Sequence, residues 1–163
     1  MAIFLTSYSS TAFSRARFPI SKRYVLSESS AKRASAKDLQ IAAQIFQGIG
    51  ATVPVKEQWL DAVTAVSGSG PAYVFLFIEC FTQAAESLGL SKKFATVLIN
   101  QTLKGSLRLV EKQKEDPRNL RLRVTSKGGT TQAAIDIFFK YQIDKIFVKA
   151  LESAEKRAKE LAK

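Results

Sequence analysis

TAVSGSGPAYVFLF (residues 64–77) sets Gly68 and Gly70 among serines and follows them with Pro71 and an apolar run. A dinucleotide-binding turn needs G-x-G-x-x-G directly after a strand, the third glycine allowing close helix packing. Here the third position is Tyr73, and the preceding WLDAVTA is helical in pattern. A Walker loop fails too, for want of a Gly-Lys-Ser/Thr ending. Pro71 instead suits the first turn of a helix, where its missing N–H would be unsatisfied anyway. Gly68-Ser69-Gly70 therefore read as a break between two helices, with no Cβ bulk to hold off another backbone or a small ligand. On these residues alone a tightly packed junction and a ligand pocket both stand.

Outward from this stretch the helical period dominates. DLQIAAQIFQGIG (residues 38–50) puts Leu39, Ala42, Ala43 and Phe46 on one stripe, with Gly48 and Gly50 as a stop. ATVPV (residues 51–55) reads as a short extended connection broken by Pro54. Helices are expected over 57–66, 71–88 and 92–112, the last begun by Ser91 as N-cap. Pro117 marks another entry, with a turn or two over 119–124, and helices follow over 131–140 and 143–161. In the last, Ile143, Ile146, Phe147, Ala150, Leu151, Ala154, Ala158 and Leu161 form one stripe opposite lysines and glutamates. No stretch alternates with period 2, and nothing before Asp38 offers a strand. The fold class is all-α, a bundle of about six helices.

The 163 residues carry 25 Lys and Arg against 14 Asp and Glu, a net +11. Residues 1–37 hold seven of those bases and only Glu28 as acid. This segment is rich in Ser and Arg, without sustained period. It reads as a disordered tail or remnant, or as an organelle transit peptide, whereas residues 38–163 read as one helical domain. No basic-aromatic motif accompanies the charge, so no nucleic-acid partner is expected. The chain has no histidine, which removes the commonest general base and metal ligand. Cys80, the only cysteine, excludes an internal disulfide and a thiolate zinc site. No metal is expected, and in its apolar run Cys80 reads as a small buried hydrophobe. The longest apolar stretch, Ala72–Ile78, is too short to span a bilayer, so a soluble chain with no membrane partner is expected.

TSKGGTT (residues 125–131) shares the character of the opening stretch: two glycines among hydroxyls, then a helix whose free N–H groups attract a carboxylate or phosphate. Taken together, LDAVTAVSGSGPAYVFLFIE, GLS near residue 89, DPRNLRLRVTSKGGTT and ALESAEKRAKEL resemble, in order and spacing, the C-terminal helical domain of pyrroline-5-carboxylate reductase. The resemblance runs from about Ser35 to Lys163.

It implies a domain that interlocks with a second subunit, in enzymes that use NADPH or NADH to reduce 1-pyrroline-5-carboxylate to proline. By position it implies that Thr64 lies beside the substrate ring as the catalytic-site residue. It likewise implies that Ser126, Gly128, Gly129, Thr130 and Thr131 hold the substrate carboxylate. The family usually carries proline where this chain has Lys127, and a Lys-Asp pair where it has Arg121 and Leu122. The family's Rossmann domain finds no counterpart before Asp38, so no cofactor-binding residue is assigned. Two readings follow. One is the substrate-binding and dimerising half of a reductase, inactive alone and dependent on a separate nucleotide-binding chain. The other is a non-catalytic remnant or interaction module forming a helical dimer. A homodimer or higher homo-oligomer is expected in either case, because PAYVFLFIECF is apolar nearly all round and needs cover on every side. A small imino acid is the implied substrate, and the cytoplasm the expected compartment, or an organelle if residues 1–37 are a transit peptide.

Overall fold

The computed structural model of the chain describes residues 3–4, 23–27, 35–47 and 51–162. The expectation of a tail over residues 1–37 falls largely outside them. The chain divides into two compact units, Met1–Gly70 with Leu151–Lys163, and Pro71–Ala150.

The first unit carries β1 (Ile3–Phe4), β2 (Arg23–Ser27), α1 (Ala36–Gln47) and β3 (Ala51–Val55). β2 lies between the other two strands, antiparallel to β1 and parallel to β3, with Arg23 opposite Ala51 and Ser27 opposite Val55. This corrects two expectations: strands do precede Asp38, and ATVPV is a strand. The period-2 signal was missing for a physical reason. Parallel strands read as continuous apolar runs rather than as alternation, and Tyr24-Val25-Leu26 is such a run. Pro54 has no N–H to give a further neighbour, which suits β3 to an edge. A parallel pair needs a crossover, and α1 supplies it.

A capping box starts α1. The Ser35 N–H donates to Asp38 Oδ2 at 2.7 Å, while the Asp38 N–H donates to Ser35 Oγ at 3.3 Å. The backbone donor and hydroxyl of Ser35 hold the Asp38 carboxyl below the ordinary aspartate range. A carboxyl lowered in this way stabilises the folded helix above its unfolded pKa and loses that contribution as pH falls through the lowered value. We therefore expect the start of α1 to fray from about pH 4 downward. Ser35→Ala, which keeps the backbone donor, should move the Asp38 carboxyl midpoint part of the way upward in an NMR titration, and an unmoved midpoint would remove the Ser35 hydroxyl as a cause.

Beyond β3 no described residue lies in a strand, so the all-α expectation holds from Glu57 onward. A 3₁₀ turn at Glu57–Trp59 leads into α2 (Leu60–Val63), then a π turn over Thr64–Gly68. The Lys56 ammonium sits 5.6 Å over the Trp59 ring at this entry. The unit also contains the end of the last helix, where Leu151, Ala154 and Ala158 are half-buried and Glu155 bonds Lys159 at 2.8 Å. That bond, with Asp61 as a lesser influence, raises the Lys159 pKa.

The second unit is built from α3 (Gly70–Ser87), α4 (Lys92–Gln113), α5 (Pro117–Arg123), α6 (Thr130–Lys140) and the start of α7 (Ile143–Leu161). Ser91 Oγ accepts from the Phe94 N–H, as expected of an N-cap. Asp116 caps α5 through the Arg118 N–H at 2.7 Å, with Pro117 in the first turn. The core is small: Ala85, Ala95 and Ile99, with Ile78, Leu90 and Leu103 packed against them.

Most large apolar side chains of α3 remain outside that core. Val74, Phe75, Leu76, Phe77 and Phe81 are all exposed within the single chain. Cys80 is exposed too, correcting its reading as buried: it sits on a helix whose outer faces this chain leaves uncovered. The helical run Glu57–Ser87 has a window of mean hydropathy 1.3, so by length and composition alone it is long enough to cross a membrane. This exceeds the expectation from Ala72–Ile78, because the helical run starts well before Pro71. Such an exposed apolar surface marks an interaction site.

Candidate functional site

Thr64 belongs to the first unit and opens the π turn. Its Oγ1 donates to the Leu60 carbonyl at 2.9 Å, and its own carbonyl accepts the Ser69 N–H at 3.0 Å, the i to i+5 bond of the wider turn. With its proton committed to Leu60, the hydroxyl oxygen keeps lone pairs for a donor. Thr64 is half-buried and Ala65 beside it is buried. Single-turn π segments inside helices recur at functional sites. Nothing in the Gly-Ser spacing announces a π turn, so the sequence showed a break where the chain instead widens one turn.

Ser126, Gly128 and Gly129 lie in the second unit, in the loop joining α5 to α6, and Thr130 and Thr131 open α6 directly after it. The loop is held by its own short bonds. Thr125 Oγ1 donates to the Arg121 carbonyl at 2.7 Å, the Thr125 N–H to the Leu122 carbonyl at 3.2 Å, and the Gly129 N–H to the Ser126 carbonyl at 3.0 Å. Gly128 has φ +73°, in the left-handed region that favours glycine. A Cβ on Gly129 would collide with Ser126 Oγ and lie 3.2 Å from its carbonyl oxygen.

Gly129 is the N-cap of α6, with extended backbone and no side chain to cap the helix. The first N–H groups of an α-helix have no partner within it, so those of Thr130 and Thr131 face outward from the helix start. They carry the positive end of its dipole and suit an anion. Gly129 differs from the expectation in one respect. Its N–H is already taken by Ser126, so its contribution is shape.

Sequence reasoning marked Arg121 only as a departure from the family and missed its stack on Phe139. Its guanidinium carbon lies 5.2 Å over the Phe139 ring, joining α5 to α6. No spacing rule links positions so far apart. Arg123 pairs with Glu115 at 3.0 Å and also donates to Gln113, joining α5 to the end of α4. Among the described residues no group of three or more His, Cys, Asp or Glu is placed to hold a metal.

The family described as pyrroline-5-carboxylate reductase dimerisation matches residues 57–161. The pyrroline-5-carboxylate reductase of Pseudomonas aeruginosa is 41% identical over 129 residues, 78% of this chain and 47% of that protein. The crystal structure of the Plasmodium falciparum pyrroline carboxylate reductase, which has NADP bound, shares 31% identity at a TM-score of 0.79, covering 87% of this chain and 57% of that one. A Coxiella burnetii pyrroline-5-carboxylate reductase structure shares 37% at a TM-score of 0.80, over 86% and 52%. The chain thus spans about half the length of the relatives it matches. With two thirds of its residues inside the match to the helical region, the chain belongs to the pyrroline-5-carboxylate reductase dimerisation family.

Proposed function

We propose that the chain is the substrate-binding and dimerising half of a pyrroline-5-carboxylate reductase. Such a protein would reduce 1-pyrroline-5-carboxylate to L-proline with NADPH or NADH, in the cytoplasm. The observation that carries the reading is the uncapped start of α6 behind Ser126–Gly129, in a chain of this family. The N–H groups of Thr130 and Thr131, with the Ser126 and Thr130 hydroxyls, receive the substrate carboxylate. The Thr64 oxygen, its proton given to Leu60, accepts from the protonated imine nitrogen. Each of these groups orients rather than supplies a strong base, consistent with a chain without histidine.

The described residues do not fit a nicotinamide dinucleotide. The first glycine of the sequence is Gly48, so no glycine-rich turn joins β2 to α1. No step is therefore derived through that cofactor. A second copy of this chain is the proposed cover for the exposed faces of α3.

The same missing glycines favour a second reading, a helical dimer without catalysis. The purified chain given NADPH and 1-pyrroline-5-carboxylate is expected to show no oxidation above background, but to bind L-proline in calorimetry. Turnover by the chain alone would refute the dependence on a separate nucleotide domain. A dimer that binds no L-proline would select the interaction module.

A further inference from the structure

We infer that Arg121 is a positioning residue for the anion-binding loop, acting through its stack on Phe139. The inference rests on the reading of Ser126–Thr131 as a carboxylate site. The loop runs from the end of α5 to the start of α6, so its shape depends on how these two helices are fixed to each other.

Arg121 stands at one end of the loop and is half-buried. Its carbonyl accepts both the Thr125 hydroxyl at 2.7 Å and the Val124 N–H at 3.2 Å, the two bonds that turn the chain out of α5. Its guanidinium meanwhile rests 5.2 Å over Phe139, in the last turn of the helix that begins at the other end of the loop. One residue thus holds the departing backbone and grips the body of the receiving helix. Arg123, two positions on, turns the other way to Glu115 and Gln113. The seven residues of α5 act as a strut between α4 and α6.

A planar cation on an aromatic face is geometrically selective, and lysine keeps the charge while losing the planar overlap. Loss of that grip lets the loop and the outward N–H groups of Thr130 and Thr131 wander, without disturbing the Ala85–Ala95–Ile99 core.

Amide exchange by NMR on the full chain tests this, with L-proline calorimetry alongside. Arg121→Met should speed exchange at Val124, Thr125 and Gly129 about three- to tenfold, and weaken L-proline by a similar factor. Ala95 and Ile99 should be unaffected. Arg121→Lys, which keeps the charge without the planar overlap, should recover only part of either loss, and Phe139→Leu added to Arg121→Met should change little more. Unchanged exchange in the loop of Arg121→Met, or acceleration spread equally into α4, would overturn the inference. If the wild-type chain binds no L-proline while Arg121→Met still loosens the loop, the carboxylate reading falls and the staple stands.

Discussion

Phe75→Glu is expected to abolish self-association while leaving the helical chain folded. In the single chain Phe75 is 62% exposed, so a glutamate there meets water and strains nothing. The change acts only where a second molecule covers α3. Burying a phenylalanine contributes about 1.5–3 kcal/mol, and a twofold interface carries each residue twice. Losing both contributions weakens association by about a hundredfold to ten-thousandfold, before counting the desolvation of two carboxylates. Sedimentation velocity at micromolar concentration should show wild-type dimers or larger assemblies and a Phe75→Glu monomer with wild-type helical circular dichroism. Phe75→Met, which keeps the apolar contact, should sediment as wild type. A wild-type chain that sediments as a compact monomer, or a Phe75→Glu variant that stays assembled, would remove α3 as the interface.

The same exposure explains what could be read from the sequence and what could not. Local signals acted locally: Ser91 and Asp116-Pro117 start their helices where their side chains can bond the first free N–H groups. The stripe of α7 was legible in Leu151, Ala154 and Ala158, which are half-buried, whereas Ile146 and Phe147 on the same stripe are exposed. Periodicity tells that a face is apolar, not whether this chain or another covers it. Cys80 was misplaced for that reason. β2 and β3 escaped notice because pairing between parallel strands leaves no alternation, and their bonds join residues about 28 apart in sequence. Within the candidate site, the glycines and hydroxyls of residues 125–131 marked the loop, since turn chemistry is written in residue types. The Arg121–Phe139 stack and the π bond from Ser69 to Thr64 depend on geometry that residue types do not encode.

Gly128 and Gly129 are adjacent, yet their replacement by alanine should fail in different ways. At Gly128 a Cβ meets nothing within 4 Å, so space is no obstacle, but the backbone sits at φ +73°. An L side chain held left-handed costs about 1–2 kcal/mol. Gly128→Ala should therefore lower the melting temperature by several degrees, taking about 2–8 °C per kcal/mol across domain sizes. If the loop keeps its shape, L-proline affinity should change little. At Gly129 the backbone is ordinary, with φ −82°, and alanine brings no such strain. Its Cβ instead runs into Ser126 Oγ, and the carbonyl of the same residue is close behind at 3.2 Å. The hydroxyl can escape by changing rotamer, so stability should fall by less than about 1 kcal/mol. Escape, however, takes the Ser126 hydroxyl away from the start of α6 and leaves a methyl group beside the Thr130 N–H. Gly129→Ala is thus expected to weaken L-proline at least tenfold, the loss of a hydrogen bond to a charged group being worth about 1.5–3 kcal/mol. Calorimetry and thermal melts on the two variants separate the effects. A Gly129→Ala chain that binds as well as wild type would show that Ser126 and the first turn of α6 do not hold the carboxylate.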